Sequence, residues 1–263
     1  MRLDVGCQLG FDATWPTPVV LVLSPQTGEG QDVVWEQFTV EPSAAVREFV
    51  DKYGNLGQRL VMPKGRSSVS MRATVETADH IDVDTTAPRT PMDEVPDYAL
   101  EFCLPSRYCQ SDMLYSFARG VMGDALPGYP QVEAIRSWIA HEIRYEYNIS
   151  SPSTSVMETL QSKAGVCRDF AHLGIAMCRA IEIPARMVVG YLHQLVPMDQ
   201  HAWWEAYVGG RWFTFDATQA APKGNRVAVA YGRDATDVAL VTQYGPLELT
   251  DMYVYVNPAV VLS

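Results

Sequence analysis

The sequence predicts an α+β protein in which a β-rich N-terminal domain precedes a domain that packs a helix on an antiparallel sheet. Before about residue 100, apolar and β-branched runs alternate with turn-forming clusters. A proline-rich stretch, 86–96, then fits neither helical nor strand periodicity. Helical periodicity begins only after this stretch. We therefore predict a boundary near residue 97, which gives domains 1–97 and 98–263.

The composition excludes several classes of protein. The chain has 263 residues, of which 48% are hydrophobic and 19% charged, the balance of a globular protein with a buried core. A net charge of −11 would repel a phosphate backbone, so no nucleic-acid partner is expected. The N-terminus lacks the pattern of a secretion signal, and no apolar run has the length of a membrane span. These observations predict a cytoplasmic protein without a membrane partner, and they carry no signal for an oligomeric state.

The cysteines and histidines do not form a metal pattern. Five cysteines are an odd number in a long chain, which argues against a disulfide framework and favours reduced thiols. They are Cys7, Cys103, Cys109, Cys167 and Cys178. None has the Cys-x-x-Cys spacing of a zinc site, and His141-Glu142 is followed by Tyr145 where a zinc protease helix carries its second histidine. The sequence therefore predicts no metal and no cofactor.

The N-terminal part is predicted from three apolar stretches. Strands are expected over 19–23, 33–40 and 67–77 because these segments are rich in valine, threonine and aromatic residues. Turn-forming clusters at 25–28 and 51–55 separate them. The pattern is typical of an all-β domain.

The second part begins with helices and ends with strands. Helices are expected over 111–122, 131–142 and 168–181, with a short helical run from Val156. Pro184 ends the last of these helices. The strands predicted after it are 185–192, 201–208, 211–218, 226–230 and 248–256.

Cys167 stands at the first turn of the predicted helix 168–181. A thiol reacts as its thiolate, and the free amides and positive dipole end of a helix N-terminus favour this anion. The backbone amide of Cys167 can also donate to a developing oxyanion. A cysteine in an apolar helix is otherwise a small buried hydrophobe, which is the interpretation we give to Cys178 and to the three cysteines outside this helix.

Strand register brings a histidine and an aspartate together. If Gly209-Gly210 forms a two-residue hairpin turn, Trp203 pairs with Asp216, and His201 and Asp216 share one face as diagonal neighbours. A carboxylate there would hold the imidazole in one tautomer, and the imidazolium would stabilise a thiolate. We therefore predict Cys167 as nucleophile, His201 as base and Asp216 as the residue that orients it. The other histidines (His80, His141, His172 and His193) are expected to be structural or surface residues.

Three blocks of sequence carry a resemblance to a known family. They are GVCRDFAH over 165–172, HAWWEAY over 201–207 and FDAT over 215–218. In this order they resemble the motifs of bacterial transglutaminase-like proteins, including cysteine proteases of that superfamily. Segments 51–56 and 104–108 are similar to the β-rich N-terminal domain and the connecting segment of these proteins. The resemblance implies a papain-like core and the triad Cys167, His201 and Asp216.

The resemblance implies acyl transfer through a thioester at amide or peptide bonds of a protein or peptide substrate. We expect hydrolysis, as in a peptidase or amidase. Cross-linking of glutamine side chains, removal of glycans from asparagine amides, and a binding or scaffolding module without turnover remain alternatives. Trp203 is expected to line the substrate cleft because alternation places it on the face of His201. A second oxyanion donor is left open among Tyr145, Tyr147 and Gln161.

Overall fold

The structure is a computed structural model that describes residues 1–28 and 30–259. The N-terminal strands are β1 (Arg2–Ala13), β2 (Thr17–Leu21), β3 (Gln31–Glu41), β4 (Arg47–Val50), β5 (Leu56–Met62) and β6 (Gly65–Thr77). The helices are α1 (Asp97–Leu100), α2 (Tyr115–Met122), α3 (Tyr129–Glu142), α4 (Val156–Ser162) and α5 (Cys167–Ala180). The remaining strands are β7 (Arg144–Tyr145), β8 (Ala164–Gly165), β9 (Ala185–Leu192), β10 (His201–Val208), β11 (Arg211–Phe215), β12 (Arg226–Gly232), β13 (Val241–Gln243) and β14 (Glu248–Pro258). Within the described residues, no helix is both long and apolar enough to cross a membrane.

A helix packed on an antiparallel sheet forms the centre of the second part, which confirms the predicted fold class. The sheet has the order β11-β10-β9-β12, and all of its neighbouring strands are antiparallel. Helix α5 packs on this sheet with Gly174 against the ring of Trp204. The inner positions of the helix and strands are buried, so the apolar periodicity in both sets of elements faces one core.

The first and last strands of the chain share sheets. Strand β14 pairs with β1 from Leu3↔Pro258 to Asp12↔Glu248, in a sheet of order β14-β1-β6-β3. Strand β13 pairs with β2 in a second sheet of order β13-β2-β5-β4. The division at residue 97 stays a prediction, and the C-terminal strands pair across it with the N-terminal ones.

Two side-chain amides join the N-terminal part to β12. The Asn55 side chain donates to the carbonyl of Tyr231 and accepts from its N–H, both at 2.8 Å. The Gln31 side chain accepts from the N–H of Ala228 at 2.7 Å and donates to its carbonyl at 2.9 Å. The outer backbone groups of Ala228 and Tyr231 on β12 are therefore bound by side chains in place of a further strand.

Several short or edge strands, and the long strand β1, were not predicted, and two of the predicted elements end or break differently in the structure. The expected helix 111–122 is a 3₁₀ turn, Ser111–Met113, followed after Leu114 by α2. The expected strand 211–218 ends at Phe215 because Asp216 begins a turn, in which the Thr218 N–H donates to the Asp216 carboxylate at 2.9 Å. This second difference concerns the site directly, because the turn fixes the carboxylate of Asp216.

Candidate active site

Cys167 is the first residue of α5 and is partly exposed. The turn before it is closed by Asp169, whose carboxylate accepts the N–H of Val166 at 2.9 Å. Arg168 pairs with the other oxygen of Asp169 and donates to the carbonyl of Ser151 at 2.8 Å. An acidic side chain in the first helical turn is also favourably placed in the helix dipole. These contacts fix the backbone that carries the thiol.

Gly165 is needed because of Asp169. A Cβ atom at Gly165 would lie 2.7 Å from the Cβ of Asp169, closer than two non-bonded carbon atoms approach. The same glycine pairs with Tyr145 between the short parallel strands β8 and β7, and the N–H of Glu146 donates to its carbonyl at 3.0 Å. The segment before Cys167 is therefore held from both sides.

The predicted hairpin register is present. Val208 pairs with Arg211 and Trp204 with Phe215, as a two-residue Gly209-Gly210 turn requires. The Nε2 atom of His201 lies 2.7 Å from Oδ2 of Asp216. Both side chains are almost fully buried. The counting argument from the sequence therefore placed this histidine and this aspartate on the correct face.

Asp216 has three further hydrogen bonds besides the one to His201. Arg226 Nη2 donates to Oδ2 at 2.8 Å, and the N–H and hydroxyl of Thr218 donate to Oδ1 at 2.9 and 2.7 Å. Both carboxylate oxygens are satisfied, so the buried charge is compensated. The carboxylate is held in one orientation by partners on two different segments.

The electrostatics of the pair follow from these contacts. Burial alone would lower the pKa of His201, but hydrogen bonds to Asp216 and to the Cys167 thiol raise it to about 9. Burial alone would raise the pKa of Asp216, but the charges of Arg226 and His201 hold it well below its usual range. The arrangement favours an ionised carboxylate beside an imidazolium.

The structure brings Cys167, His201 and Asp216 together. The thiol of Cys167 interacts with the same imidazole that Asp216 binds. Because Nε2 faces Asp216, Nδ1 is the ring nitrogen left to exchange a proton with the thiol. A thiol, an imidazole and a carboxylate in this order can generate and stabilise a thiolate.

The other four cysteines differ from Cys167 in their surroundings. Burial raises the pKa of Cys7, Cys109 and Cys178 to about 12, and it also raises that of Cys103. Such thiols remain protonated at neutral pH and are poor nucleophiles. The interpretation of Cys178 as a buried hydrophobe agrees with its position in the core.

His172 has a structural place, as its position on α5 predicts. Its ring stacks on Tyr108 at 5.1 Å, and its Nε2 accepts the N–H of Ala235 at 3.1 Å. Burial lowers the pKa of His172 to about 4, so the ring is neutral. It anchors the segment after β12 to the helix.

Tyr145 is the candidate oxyanion donor that lies next to Cys167. Its phenol interacts with the thiol and with the backbone amide of Cys167, and its ring packs 5.8 Å from that of Phe170. Burial, Cys167 and Tyr147 together raise the pKa of Tyr145, which keeps the phenol protonated. A protonated phenol is a hydrogen-bond donor.

Trp203 lies behind the triad. The side chain is 2% exposed, with its ring 6.1 Å from that of His201 and 5.0 Å from the guanidinium of Arg226. It lines a cavity of about 440 Å³, and the triad side chains are not among the described residues that line this cavity. Its expected role in binding the substrate stays a prediction.

Three residues of the site escaped the sequence argument. Thr218 had a local signal, since an aspartate followed two positions later by threonine favours a side-chain-capped turn. Asp169 also had a local signal, because an acidic residue at the third position of a helix can accept the backbone N–H that precedes the helix. Arg226 had none, because only the pairing of β12 with β9 brings it beside Asp216.

Known proteins share both the sequence and the fold. The family model of the transglutaminase-like superfamily matches residues 115–217. A solved structure of a proposed cysteine protease from Cytophaga hutchinsonii is 35% identical, covers 100% of this chain and 92% of its own, and superposes with a TM-score of 0.92. A protein of Mycobacterium leprae, named as uncharacterized, is 27% identical over 89% of both chains. Another uncharacterized protein, from Mycobacterium tuberculosis, is 36% identical over 43% of this chain and 42% of its own.

The match to the Cytophaga hutchinsonii protein extends over the whole length of this chain, and the family model covers the segment that contains Cys167, His201 and Asp216. The chain belongs to the transglutaminase-like superfamily.

Proposed function

We propose that the protein is a cysteine hydrolase that cleaves amide or peptide bonds through a thioester, with Cys167 as nucleophile. The observation that supports this most directly is the imidazole of His201, bound at 2.7 Å by Asp216 and in contact with the Cys167 thiol. His201 is the base and then the acid, and Asp216 orients it. Arg226 and Thr218 donate hydrogen bonds to the carboxylate of Asp216 and are positioning residues in this scheme.

The proposed reaction has two halves. His201 removes the thiol proton, and the thiolate of Cys167 adds to the carbonyl carbon to form a tetrahedral oxyanion. The carbon–nitrogen bond breaks as His201 returns the proton to the leaving amine. Water then attacks the thioester with His201 as base, and the products are a carboxylic acid and the regenerated thiol.

Two donors near the thiol can stabilise the oxyanion. The N–H of Cys167 lies at the start of α5, has no partner within the helix and interacts with the phenol of Tyr145. The phenol of Tyr145 stays protonated and lies beside this amide. We propose the two groups as the oxyanion hole, with Tyr145 as the donor that the sequence left open.

Hydrolysis is favoured over cross-linking by one relative. The Cytophaga hutchinsonii protein, 35% identical over 92% of its length, is named as a proposed cysteine protease. Such a name implies that water resolves the thioester. The substrate we propose is therefore a protein or peptide.

The first experiment measures alkylation of each cysteine by iodoacetamide at neutral pH, with the modified peptides quantified by mass spectrometry. Cys167 is expected to react fastest, because burial keeps the other four thiols protonated. In His201→Ala this advantage should disappear. The other four cysteines serve as internal controls. Equal, slow alkylation of Cys167 in both proteins would mean that the triad does not activate it, and would favour the non-catalytic alternative.

The second experiment separates the possible acceptors. Wild type and Cys167→Ser are incubated with a mixed peptide library, with a glutamine peptide plus a primary amine, and with an N-glycopeptide. Cleaved peptide bonds that depend on Cys167 are expected. Amine incorporation or glycan release in place of cleavage would contradict hydrolysis of peptide bonds and assign the corresponding alternative.

We further propose a reducing compartment such as the cytoplasm. All five cysteines are free thiols, and Cys7, Cys109 and Cys178 are buried. A nucleophilic thiol also keeps its activity best where oxidants are scarce.

A further inference from the structure

Tyr145 has a free backbone edge. It belongs to β7, which forms a sheet of only two parallel strands with β8. The N–H of Arg144 donates to the carbonyl of Lys163 at 3.0 Å, and two residues on the N–H of Glu146 donates to that of Gly165 at 3.0 Å. Since bonding residues alternate along a strand, the N–H and carbonyl of Tyr145 point away from β8. Neither group has a hydrogen-bond partner among the described residues, and such an edge is a template for a further strand.

This edge lies close to the proposed nucleophile. The phenol of Tyr145 interacts with the thiol and the N–H of Cys167, so the backbone of Tyr145 is within about one side-chain length of the sulfur. Tyr145 is 44% exposed. Because an extended chain advances about 3.3 Å per residue, a substrate held at the thiol reaches this backbone within about two or three residues of the bond that is cleaved.

The side chains around the edge suit an apolar segment. The ring of Tyr147 lies 5.3 Å from that of Tyr145, edge to face, and Tyr147 is 52% exposed. Ile149, in the same segment, is also exposed. The charged neighbours Arg144 and Glu146 pair with each other at 3.4 Å and, by strand alternation, lie on the face opposite to the Tyr145 ring. The face that holds this ring is therefore aromatic and receives no charge from β7.

We propose that an extended segment of the substrate, on the N-terminal side of the cleaved bond, adds to β7 as a third strand. Its backbone pairs with the N–H and carbonyl of Tyr145, and one of its apolar side chains packs on Tyr147. The inference rests on the proposed function, because it takes Cys167 as the residue that the substrate must reach. The substrates are then unfolded or loop segments of polypeptide, since the backbone groups of helices and inner strands are already bonded.

The pairing positions the carbonyl that reacts. Backbone hydrogen bonds fix the substrate along β7, and the phenol of the same Tyr145 lies at the thiol, where the oxyanion forms. Both contacts are compatible because the side chain of a strand residue stands roughly perpendicular to the sheet. Backbone pairing does not depend on the substrate sequence, so selectivity among extended segments comes from side-chain contacts such as the one with Tyr147.

The first test uses a reagent whose chloride is displaced by the Cys167 thiolate, so that no turnover is needed. Acetyl-trileucine chloromethyl ketone is compared with chloroacetone, which has the same reactive group without a peptide. The ratio of the two alkylation rates at Cys167 measures recognition of the peptide whatever the reactivity of the thiol. Leucic acid in place of each leucine in turn exchanges one backbone N–H for an ester oxygen. At one position or more, this ratio is expected to fall about three- to tenfold, the effect of one lost hydrogen bond.

Hydrogen exchange identifies the partner of the peptide. The full chain is labelled with ¹⁵N-tyrosine, which gives 13 tyrosine amides, and Tyr145→Phe and Tyr115→Phe assign two of their signals by loss. The adduct of the trileucine reagent is compared with the adduct of chloroacetone. The Tyr145 N–H is expected to exchange about tenfold or more slowly in the peptide adduct. Tyr115, exposed at the first position of α2, is the control and should exchange equally in both adducts.

Tyr147→Ala tests the side-chain contact. It should lower the rate ratio of the trileucine reagent about fivefold, because a leucine loses its apolar partner. Tyr253→Ala removes another exposed tyrosine, from β14, and should leave the ratio unchanged. Equal ratios in these two variants would contradict the contact with Tyr147.

Two results would overturn the pairing itself. One is an equal rate ratio for the parent reagent and all three esters, and the other is equal exchange of the Tyr145 N–H in the two adducts. Slow alkylation by both reagents, together with a ratio that depends on one ester position and a protected Tyr145 N–H, would support the pairing and contradict the activated thiol of the proposed function.

Discussion

Asp216 divides its two carboxylate oxygens between different partners. Oδ1 accepts from the N–H and hydroxyl of Thr218, which closes the turn after β11. Oδ2 accepts from Arg226 and binds Nε2 of His201. One oxygen therefore fixes the carboxylate to its own turn, and the other transmits that orientation to the imidazole. Arg226 is the cation that makes the buried charge tolerable.

Replacement of Arg226 by glutamine tests whether this cation compensates the buried charge of Asp216. Removing the cation leaves Asp216 partly uncompensated, so the free energy of unfolding should fall by about 3 kcal/mol at neutral pH. The pKa of Asp216 should also rise from its lowered position. Because a lowered carboxyl pKa stabilises the fold only above it, acid unfolding of Arg226→Gln should begin at a higher pH than in wild type.

Urea unfolding and acid titration, both followed by tryptophan fluorescence, measure these two effects. Arg119→Gln, on the exposed side of α2, is the matched control and should change neither. Equal acid stability of Arg226→Gln and wild type would show that Arg226 does not hold Asp216 ionised.

His201 gives a prediction for alkaline pH. Its pKa of about 9 in the folded protein is above the ordinary value of 6.5, so the protonated ring stabilises the fold. This contribution is complete below about pH 6.5 and is lost as the pH rises through about 9. Between these limits, wild type should lose more unfolding free energy than His201→Gln, which has no such proton. If the unfolding free energies of the two proteins change in parallel over this pH range, the raised pKa of His201 is contradicted.

The sequence identified His201 and Asp216 because their relation is local. Both belong to one hairpin, and a two-residue turn sets the register by counting. Arg226 belongs to a strand that reaches the pair only through β9, and no spacing encodes that path. The position of Tyr145 beside Cys167 depends in the same way on the parallel pairing of β7 and β8. Contacts inside one element pair were predictable, and those made across the sheet were not.

At the scale of elements, the fit of α5 on β10 positions Cys167 relative to His201. Gly174 lies in the middle of α5, and a Cβ atom there would be 2.5 Å from Cε2 of Trp204. Trp204 is fully buried, so its ring has no free space to move into. The glycine therefore sets how closely the helix approaches the strand.

Two glycine-to-alanine substitutions in helices are expected to act in opposite directions. Gly174→Ala should destabilise the protein by about 1–3 kcal/mol, because the added methyl group forces the helix away from Trp204. Gly120→Ala in α2 should stabilise it by about 0.5–1 kcal/mol, since nothing lies within 4 Å of the new Cβ and alanine favours the helix. Urea unfolding measures both values. A neutral or stabilising Gly174→Ala would mean that this contact does not limit the approach of α5.

Strand β1 shows why one long element was not predicted. Its inward residues Leu3, Val5 and Leu9 alternate as a strand should. The intervening positions are acids, a glutamine and two glycines, which are depleted in strands. The structure gives a reason for the glycine at position 6: the ring of Tyr255 on β14 covers it and leaves no space for a side chain. The glycine that makes the segment look unlike a strand is therefore the residue that the packing of Tyr255 requires.

At the scale of the whole molecule, the N-terminal sheets depend on the end of the chain. Strand β14 covers β1 along most of its length, and β13 covers β2. On β14, Val254 and Val256 are buried against the same core. In addition, Asn55 and Gln31 hold the backbone of β12 in the central sheet. A domain boundary placed at a proline-rich linker cannot predict that strands after the linker pair with strands before it.

The last prediction concerns the fragment 98–263, which the boundary at residue 97 defines as a catalytic domain. Without residues 1–97, β13 and β14 lose their strand partners and β12 loses the amides of Asn55 and Gln31. Unpaired strand edges and newly exposed valines should prevent a cooperative urea transition. Adding separately produced 1–97 should restore both the transition and rapid alkylation of Cys167, with the intact chain as reference. If 98–263 alone unfolds cooperatively and its Cys167 reacts as in the full chain, residue 97 is a true folding boundary and the shared sheets are not required for the site.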